Sequence, residues 1–107
     1  MNTVILSGNI CSELKDNLRF TRGGKKFLDF TLAVRRTKDT TTFIRCRAWE
    51  GTCDLLLSYC GKGDKITVQG RLEVSEYKDG EDQKYYTYVS ITEISFGFKP
   101  SGKGATA

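Results

Sequence analysis

Phe43, Arg45, Arg47 and Trp49 alternate along "TTFIRCRAW" (41–49). In a β-strand successive side chains point to opposite faces, so these four share one face and Ile44, Cys46 and Ala48 share the other. The second set is apolar and belongs in a core. The first is an aromatic, two cations and an aromatic, on the side that does not look like core. Rings offer flat faces on which planar groups stack, and a guanidinium grips a phosphate bidentately and also stacks. Alternate residues on a strand lie about 6–7 Å apart, comparable to the nucleotide spacing of an extended single strand. The predicted chemistry is base stacking with phosphate contacts between the rings. The competing use of such a face is an apolar protein interface, which would strand two arginines.

Around this stretch the charge is one-sided. Leu18 to Arg47 holds nine basic residues (Arg19, Arg22, Lys25, Lys26, Arg35, Arg36, Lys38, Arg45, Arg47) against Asp29 and Asp39. That segment carries +7 and the rest −3, which sums to the net +4 of the chain. A basic field beside exposed rings fits a polyanionic partner better than solvating surface charge does. Arg35, Lys38, Lys62 and Arg71 are further phosphate candidates. Tyr77, on the same parity as Arg71 and Lys65, extends the platform.

No other chemistry competes. The chain contains no histidine, so a Ser/His or Cys/His nucleophile pair is impossible. "SGNI" and "GKGDK" lack the spacing of a phosphate-binding loop, and Asp79, Glu81 and Asp82 lack that of a calcium loop. Cys11, Cys46, Cys53 and Cys60 form no C-x-x-C pair. They read as four reduced, mostly packed thiols rather than a zinc site. The expectation is a binding protein: no enzyme, no cofactor and no metal.

The elements that position these residues follow from periodicity. At 107 residues, with 38% hydrophobic and 28% charged content, the chain has room for one core. "NTVILSGNI" (2–10) reads as a strand bending at Gly8-Asn9, and "LRFTRGGKK" (18–26) as a short extended piece entering a Gly-Gly turn. "FLDFTLAVRR" (27–36) alternates, with Leu28, Phe30, Leu32 and Val34 inward and Asp29, Thr31, Ala33 and Arg35 outward. After a polar turn (37–41) comes the strand 42–49. "GTCDLLLSYCGKG" (51–63) changes period: Leu55, Leu56 and Tyr59 have helical spacing, Thr52 is the predicted N-cap, and Gly61 and Gly63 are stops. Residues 64–77 alternate again, with Ile66, Val68, Leu72 and Val74 inward and a bend at Gly70. A hairpin loop (78–84) leads to the last strand, 85–96. Long alternating strands with one helix after the third suggest a small closed barrel. Residues 99–107 carry the only proline and read as a short disordered basic, Gly-containing tail beyond a domain spanning 1–98. No apolar run approaches a membrane span, and no leader follows Met1. The expected setting is cytoplasmic.

"VILSGNI", "LRFTRGG", "FTLAVRR", "TTFIRCRAWEG" and "YCGKGDKITVQGRLEVSEYKDGEDQKYY" resemble, in order and spacing, the bacterial single-stranded DNA-binding protein family. The ordered patterns F-x-L-A-V-x-R, T-x-F-I-x-C-x-x-W and K-G-x-x-I-x-V-x-G-R-L carry the resemblance from about residue 2 to 97. It implies an all-β, five-stranded OB-fold (oligonucleotide/oligosaccharide-binding) Greek-key barrel with one short helix between strands 3 and 4. It also implies sequence-tolerant binding of single-stranded DNA in replication, recombination or repair. The family's stacking aromatics fall on Phe43, Trp49 and Tyr77, and its basic contacts on Arg45 and Lys62. Three departures stand out. Lys38 stands about where the family has an aromatic near the tip of the hairpin between the second and third strands. The chain has no acidic residue after Glu93, where the family has a long tail ending in acids that recruits replication and repair proteins. It therefore reads as a tailless member, phage-encoded, or as a shortened form, and those partners are in doubt. Third, family tetramers assemble through the first strand, so a homo-oligomer is expected, a tetramer before a dimer. Two alternatives share the fold: a tailless primosomal-type accessory protein acting mainly through protein partners, and a cold-shock-type barrel that binds RNA.

Overall fold

The computed structural model describes residues 1–96; the predicted tail and the domain boundary at 98 lie outside them. Six strands are present: β1 (Val4–Ile10), β2 (Leu18–Phe20), β3 (Lys26–Arg35), β4 (Thr41–Trp49), β5 (Lys65–Asp79) and β6 (Asp82–Phe96). One helix, α1 (Glu50–Tyr59), lies between β4 and β5, and a single 3-10 turn (Lys15–Asn17) precedes β2. The strand order is β1-β5-β6-β4-β3-β2, and β1 also pairs with β3, which closes the ring. Neighbours are antiparallel except β4 and β6, which run parallel. The ring itself has five strands, with the helix after the third of them, as in an OB-fold barrel. β2 is an extra three-residue strand on the edge of β3, built from the piece expected to be merely extended.

Closure depends on glycines at two corners. β1 pairs with β5 from Val4 to Asn9 and with β3 at Asn9 and Ile10, so it changes partner just after Gly8. A Cβ at Gly8 would collide with the Ala33 carbonyl, and one at Gly70 with the Ser90 carbonyl. The β5–β6 register shifts between Gln69 and Gly70, so the bend expected at Gly70 is a bulge-type irregularity.

Inside the ring, alternation delivers the core. Leu28, Phe30 and Leu32 of β3, Cys46 and Ala48 of β4, Ile66 and Val68 of β5, and Val89 and Ile91 of β6 are buried, with Val34 and Ile44 packed against them. The helix plugs one end through Cys53, Leu56 and Cys60. Of the helical residues singled out by spacing, Leu56 is buried, whereas Leu55 and Tyr59 face outward, with Tyr59 against Phe96 at 5.9 Å.

Three local expectations are corrected. The helix starts at Glu50, with Trp49 in the cap position and no side-chain cap, so Thr52 is not the N-cap. Glu50 holds φ +46°, a left-handed residue that turns the chain straight from strand to helix. The loop expected over 78–84 is a two-residue turn, because β5 runs to Asp79 and β6 starts at Asp82. Gly80 supplies φ +68° at the first central position and Glu81 has no positive φ, the pattern of a type II′ hairpin. Finally, Leu72 and Val74 are not core: they are 48% and 59% exposed. They keep the predicted parity, but beyond Gly70 the paired strands extend past the core as an arm, where Leu72 borders an open groove instead of being packed.

Candidate nucleic-acid interface

Register gathers the outward residues of β3, β4, β5 and β6 into one surface. β3 and β4 align Phe27 with Trp49, Asp29 with Arg47, Thr31 with Arg45 and Ala33 with Phe43. β4 and β6 align Arg47 with Ser90, and β6 and β5 align Ser90 with Arg71 and Tyr88 with Glu73. Paired residues share a face, so Phe27, Phe43, Arg45, Arg47, Trp49, Arg71, Tyr77, Tyr86 and Tyr88 do too. β2 adds Arg19, which pairs with Phe27.

The side chains are in contact along this face. Phe27 and Trp49 have ring centroids 5.1 Å apart, and Lys25 Nζ lies 5.1 Å from the Trp49 ring. Arg47 Cζ is 4.8 Å from the Phe27 ring, 4.5 Å from Tyr88 and 5.9 Å from Trp49. Tyr88 meets Tyr86 at 6.0 Å, and Tyr86 meets Tyr77 at 6.0 Å. Arg45 Cζ sits 4.9 Å above the Tyr86 ring. The result is an unbroken path of rings and cations from Lys25, across the barrel, onto the base of the arm. Such cation–π contacts are worth about 0.5–1 kcal/mol each when exposed, and they pre-order the rings before any ligand arrives.

Charge along this path is distributed unevenly. Arg47 Nε donates to Asp29 Oδ1 at 2.7 Å and Nη2 to Oδ2 at 3.1 Å. The hydrogen bond to Asp29, foremost, raises the Arg47 pKa, so the guanidinium stays charged. Hydrogen bonding to Ser75, then to Arg47, lowers the Tyr86 phenol from its ordinary value. Lys26 pairs with Asp54 of α1, and that hydrogen bond is the main cause raising its pKa. Lys26 and Arg47 are thus the ion-paired members of the nine-residue basic set.

Of the residues singled out in the sequence, Phe43 (65% exposed), Arg45, Arg47, Trp49, Arg71 and Tyr77 come together on this face. Phe43, Ile44, Arg45, Leu72, Tyr86 and Tyr88 line a groove there of about 360 Å³. Arg35, paired with Thr41, stands one alternate step beyond the Ala33–Phe43 pair at the end of β3. Lys38 lies in the exposed turn that follows. Lys62 is apart from the platform, in a cleft with Glu13, Leu14, Lys15, Leu57, Cys60 and Gly61.

Phe27, Tyr86, Tyr88, Lys25 and Arg19 were not among the residues singled out as site candidates. The signal for the tyrosines is the alternation in "YYTY" (85–88), and for Phe27 it is shared parity with Asp29. The four thiols play no part in this surface. Cys46, Cys53 and Cys60 are buried and Cys11 is half-buried. Burial pushes the Cys46 thiol up to about 12 and also raises Cys53. Among the described residues no cluster could hold a metal ion.

A five-stranded ring carrying a stacked aromatic and cationic face is an oligonucleotide-binding barrel. A sequence profile of the Single-strand binding protein family matches residues 1–97, and the chain belongs to that family. It is 34% identical to the single-stranded DNA-binding protein of Fusobacterium nucleatum subsp. nucleatum over 115 residues, covering 99% of this chain and 73% of the relative. The namesake from Onion yellows phytoplasma is 36% identical over 98 residues, covering 90% of this chain and 93% of the relative. Single-stranded DNA-binding protein 2 of Listeria innocua is 28% identical over 115 residues, with 100% and 71% covered.

Proposed function

We propose that single-stranded DNA lies on this face. Bases stack on Trp49, Phe43 and Tyr77, and on the rings of Phe27, Tyr86 and Tyr88 beside them. Arg45, Arg71 and Arg35 meet phosphates, with Lys38 and Lys62 engaging the strand as it leaves the platform. The protein binds and coats single strands without strong sequence preference, since every base has a face to stack. It is not an enzyme. Coating of this kind serves replication, recombination and repair, the roles typical of the family. The observation that carries the site assignment is the unbroken ring–cation path from Lys25 to Tyr77.

The chain acts as a homo-oligomer, a tetramer before a dimer, in the bacterial cytoplasm. An outward-facing Ile5 on β1, 64% exposed, supports self-association. Four cysteines that form no disulfide with one another fit a reducing compartment.

Trp49 is the sole tryptophan, and it sits inside the proposed site. Titration with oligo-dT should quench its fluorescence strongly, and the quench should largely survive moderate salt. A duplex of equal length should quench it little. Weak, strand-indifferent changes that vanish with salt would reduce the interaction to general polyanion attraction and make this face a protein interface.

A further inference from the structure

Arg47 looks from its position like a phosphate anchor, but its surroundings assign it another task. It occupies the centre of the platform, on β4 between Phe27 of β3 and Tyr88 of β6. Its two hydrogen bonds to Asp29 occupy Nε and Nη2, one side of the guanidinium fork. The Arg47 side chain is only 15% exposed, and Asp29 is 29% exposed. A phosphate approaching Arg47 would meet the Asp29 carboxylate and would have to displace three ring contacts. Arg45, by contrast, is exposed over the Tyr86 ring and, though it shares a cleft with Asp29, is not ion-paired to it.

We propose that Asp29 is a positioning residue that withholds Arg47 from phosphate, so that the Arg47 guanidinium serves as a neutralised, planar spacer holding Phe27, Trp49 and Tyr88 ready for bases. The proposal rests on the assignment of this face to single-stranded DNA. It divides the platform into two kinds of position. At the centre Asp29 balances the charge of Arg47 and contact is by stacking. Phosphates are held at the margins, by Arg45, Arg71, Lys25 and Arg19. The physical gain is selectivity. A duplex presents phosphates outward with its bases stacked inside, and an uncharged centre offers it nothing, whereas an unpaired Arg47 would attract any polyanion.

The test is the slope of log K against log salt for oligo-dT, which counts phosphates neutralised at ~0.7 each for single strands. Arg45→Ala should lower the slope by ~0.7. Arg47→Ala should leave the slope unchanged while weakening binding at every salt concentration, because the rings lose their spacer. Asp29→Asn keeps the shape of the side chain and releases the arginine. It should raise the oligo-dT slope by ~0.7 and tighten duplex binding at low salt, by about 3.5-fold between 200 and 50 mM for one added phosphate at ~0.9 per duplex phosphate. Glu73→Gln, opposite Tyr88 on the same face, removes the same unit of charge without touching Arg47 and should leave the slope as it was.

An Arg47→Ala slope that falls like that of Arg45→Ala would overturn the proposal. So would an unchanged slope in Asp29→Asn, or an equal rise in Glu73→Gln, which would reduce the effect to net charge. Circular dichroism on each variant establishes that it folds, and Arg47→Lys gives a second reading if Arg47→Ala does not. Lysine keeps a charge paired to Asp29 but loses the planar stack between the rings, so binding should weaken with the slope unchanged; a slope that falls as in Arg45→Ala would overturn the proposal here too. Trp49→Ala separates the two levels of inference: if it binds oligo-dT normally, the face itself is misassigned, whatever the slopes.

Discussion

Two arginines on one face of one strand, two positions apart, have different environments. Arg45 is exposed over Tyr86; Arg47 is enclosed by three rings and a carboxylate. At this scale Trp49 is the residue to remove first. Trp49→Ala should weaken binding by about 1–3 kcal/mol whatever the base composition of the strand, measured by fluorescence anisotropy of labelled oligonucleotides. An effect confined to one base would point to sequence readout instead. Cys46 makes a second prediction, about pH. Its thiol is pushed up to about 12 in the fold, against ~8.5 in an unfolded chain. Its contribution is therefore complete below pH ~8.5 and declines as pH rises toward 12, by at most about 1.4 kcal/mol per pH unit. Between pH 8.5 and 11 the urea midpoint of the wild type should fall more steeply than that of Cys46→Ala. Parallel curves would show that Cys46 ionises as easily folded as unfolded.

Among the elements, the β5–β6 pair does two jobs, and Gly70 marks the boundary between them. Before it, Ile66 and Val68 build the core; after it, the same parity points into solvent at Leu72 and Val74. Gly70→Ala places a methyl against the Ser90 carbonyl and should destabilise the barrel by about 1–3 kcal/mol, read from the urea midpoint. Wild-type stability in that variant would mean the two backbones can separate freely. Tyr77 lies on the arm and is 47% exposed. Tyr77→Ala should leave stability within about 0.5 kcal/mol while weakening oligo-dT binding by about 1–3 kcal/mol. Equal losses in both would make Tyr77 a structural residue.

For the whole molecule the governing feature is asymmetry. The +7 of residues 18–47 is carried largely by β2, β3, β4 and their turns, which border the aromatic face. Ile5 projects from β1 as a separate exposed apolar residue. If β1 is where copies meet, Ile5→Glu should lower the solution mass measured by light scattering without abolishing the Trp49 response to oligo-dT. An unchanged mass would exclude Ile5 from the contact between copies, and a lost Trp49 response would join assembly to the platform itself.

Whatever depends on parity could be read from the order of residues. Alternation is a local property of an extended backbone, so the inward sets of β3 and β4 and the outward set Phe43, Arg45, Arg47 and Trp49 were legible from residue type alone. The order of strands and helix was legible for the same reason, and the ordered motifs carried the family. Tertiary structure decided everything that depends on which strands lie side by side. Phe27 joins Trp49 only through the β3–β4 register, and Tyr88 reaches Arg47 only because β4 and β6, whose paired residues lie 43 apart in sequence, run parallel. At Gly70 two backbones approach closely, Leu72 and Val74 beyond it are exposed, and no periodicity encodes either. The pairing of Asp29 with Arg47 has the same origin: eighteen residues separate them along the chain, and one ladder of hydrogen bonds sets them side by side.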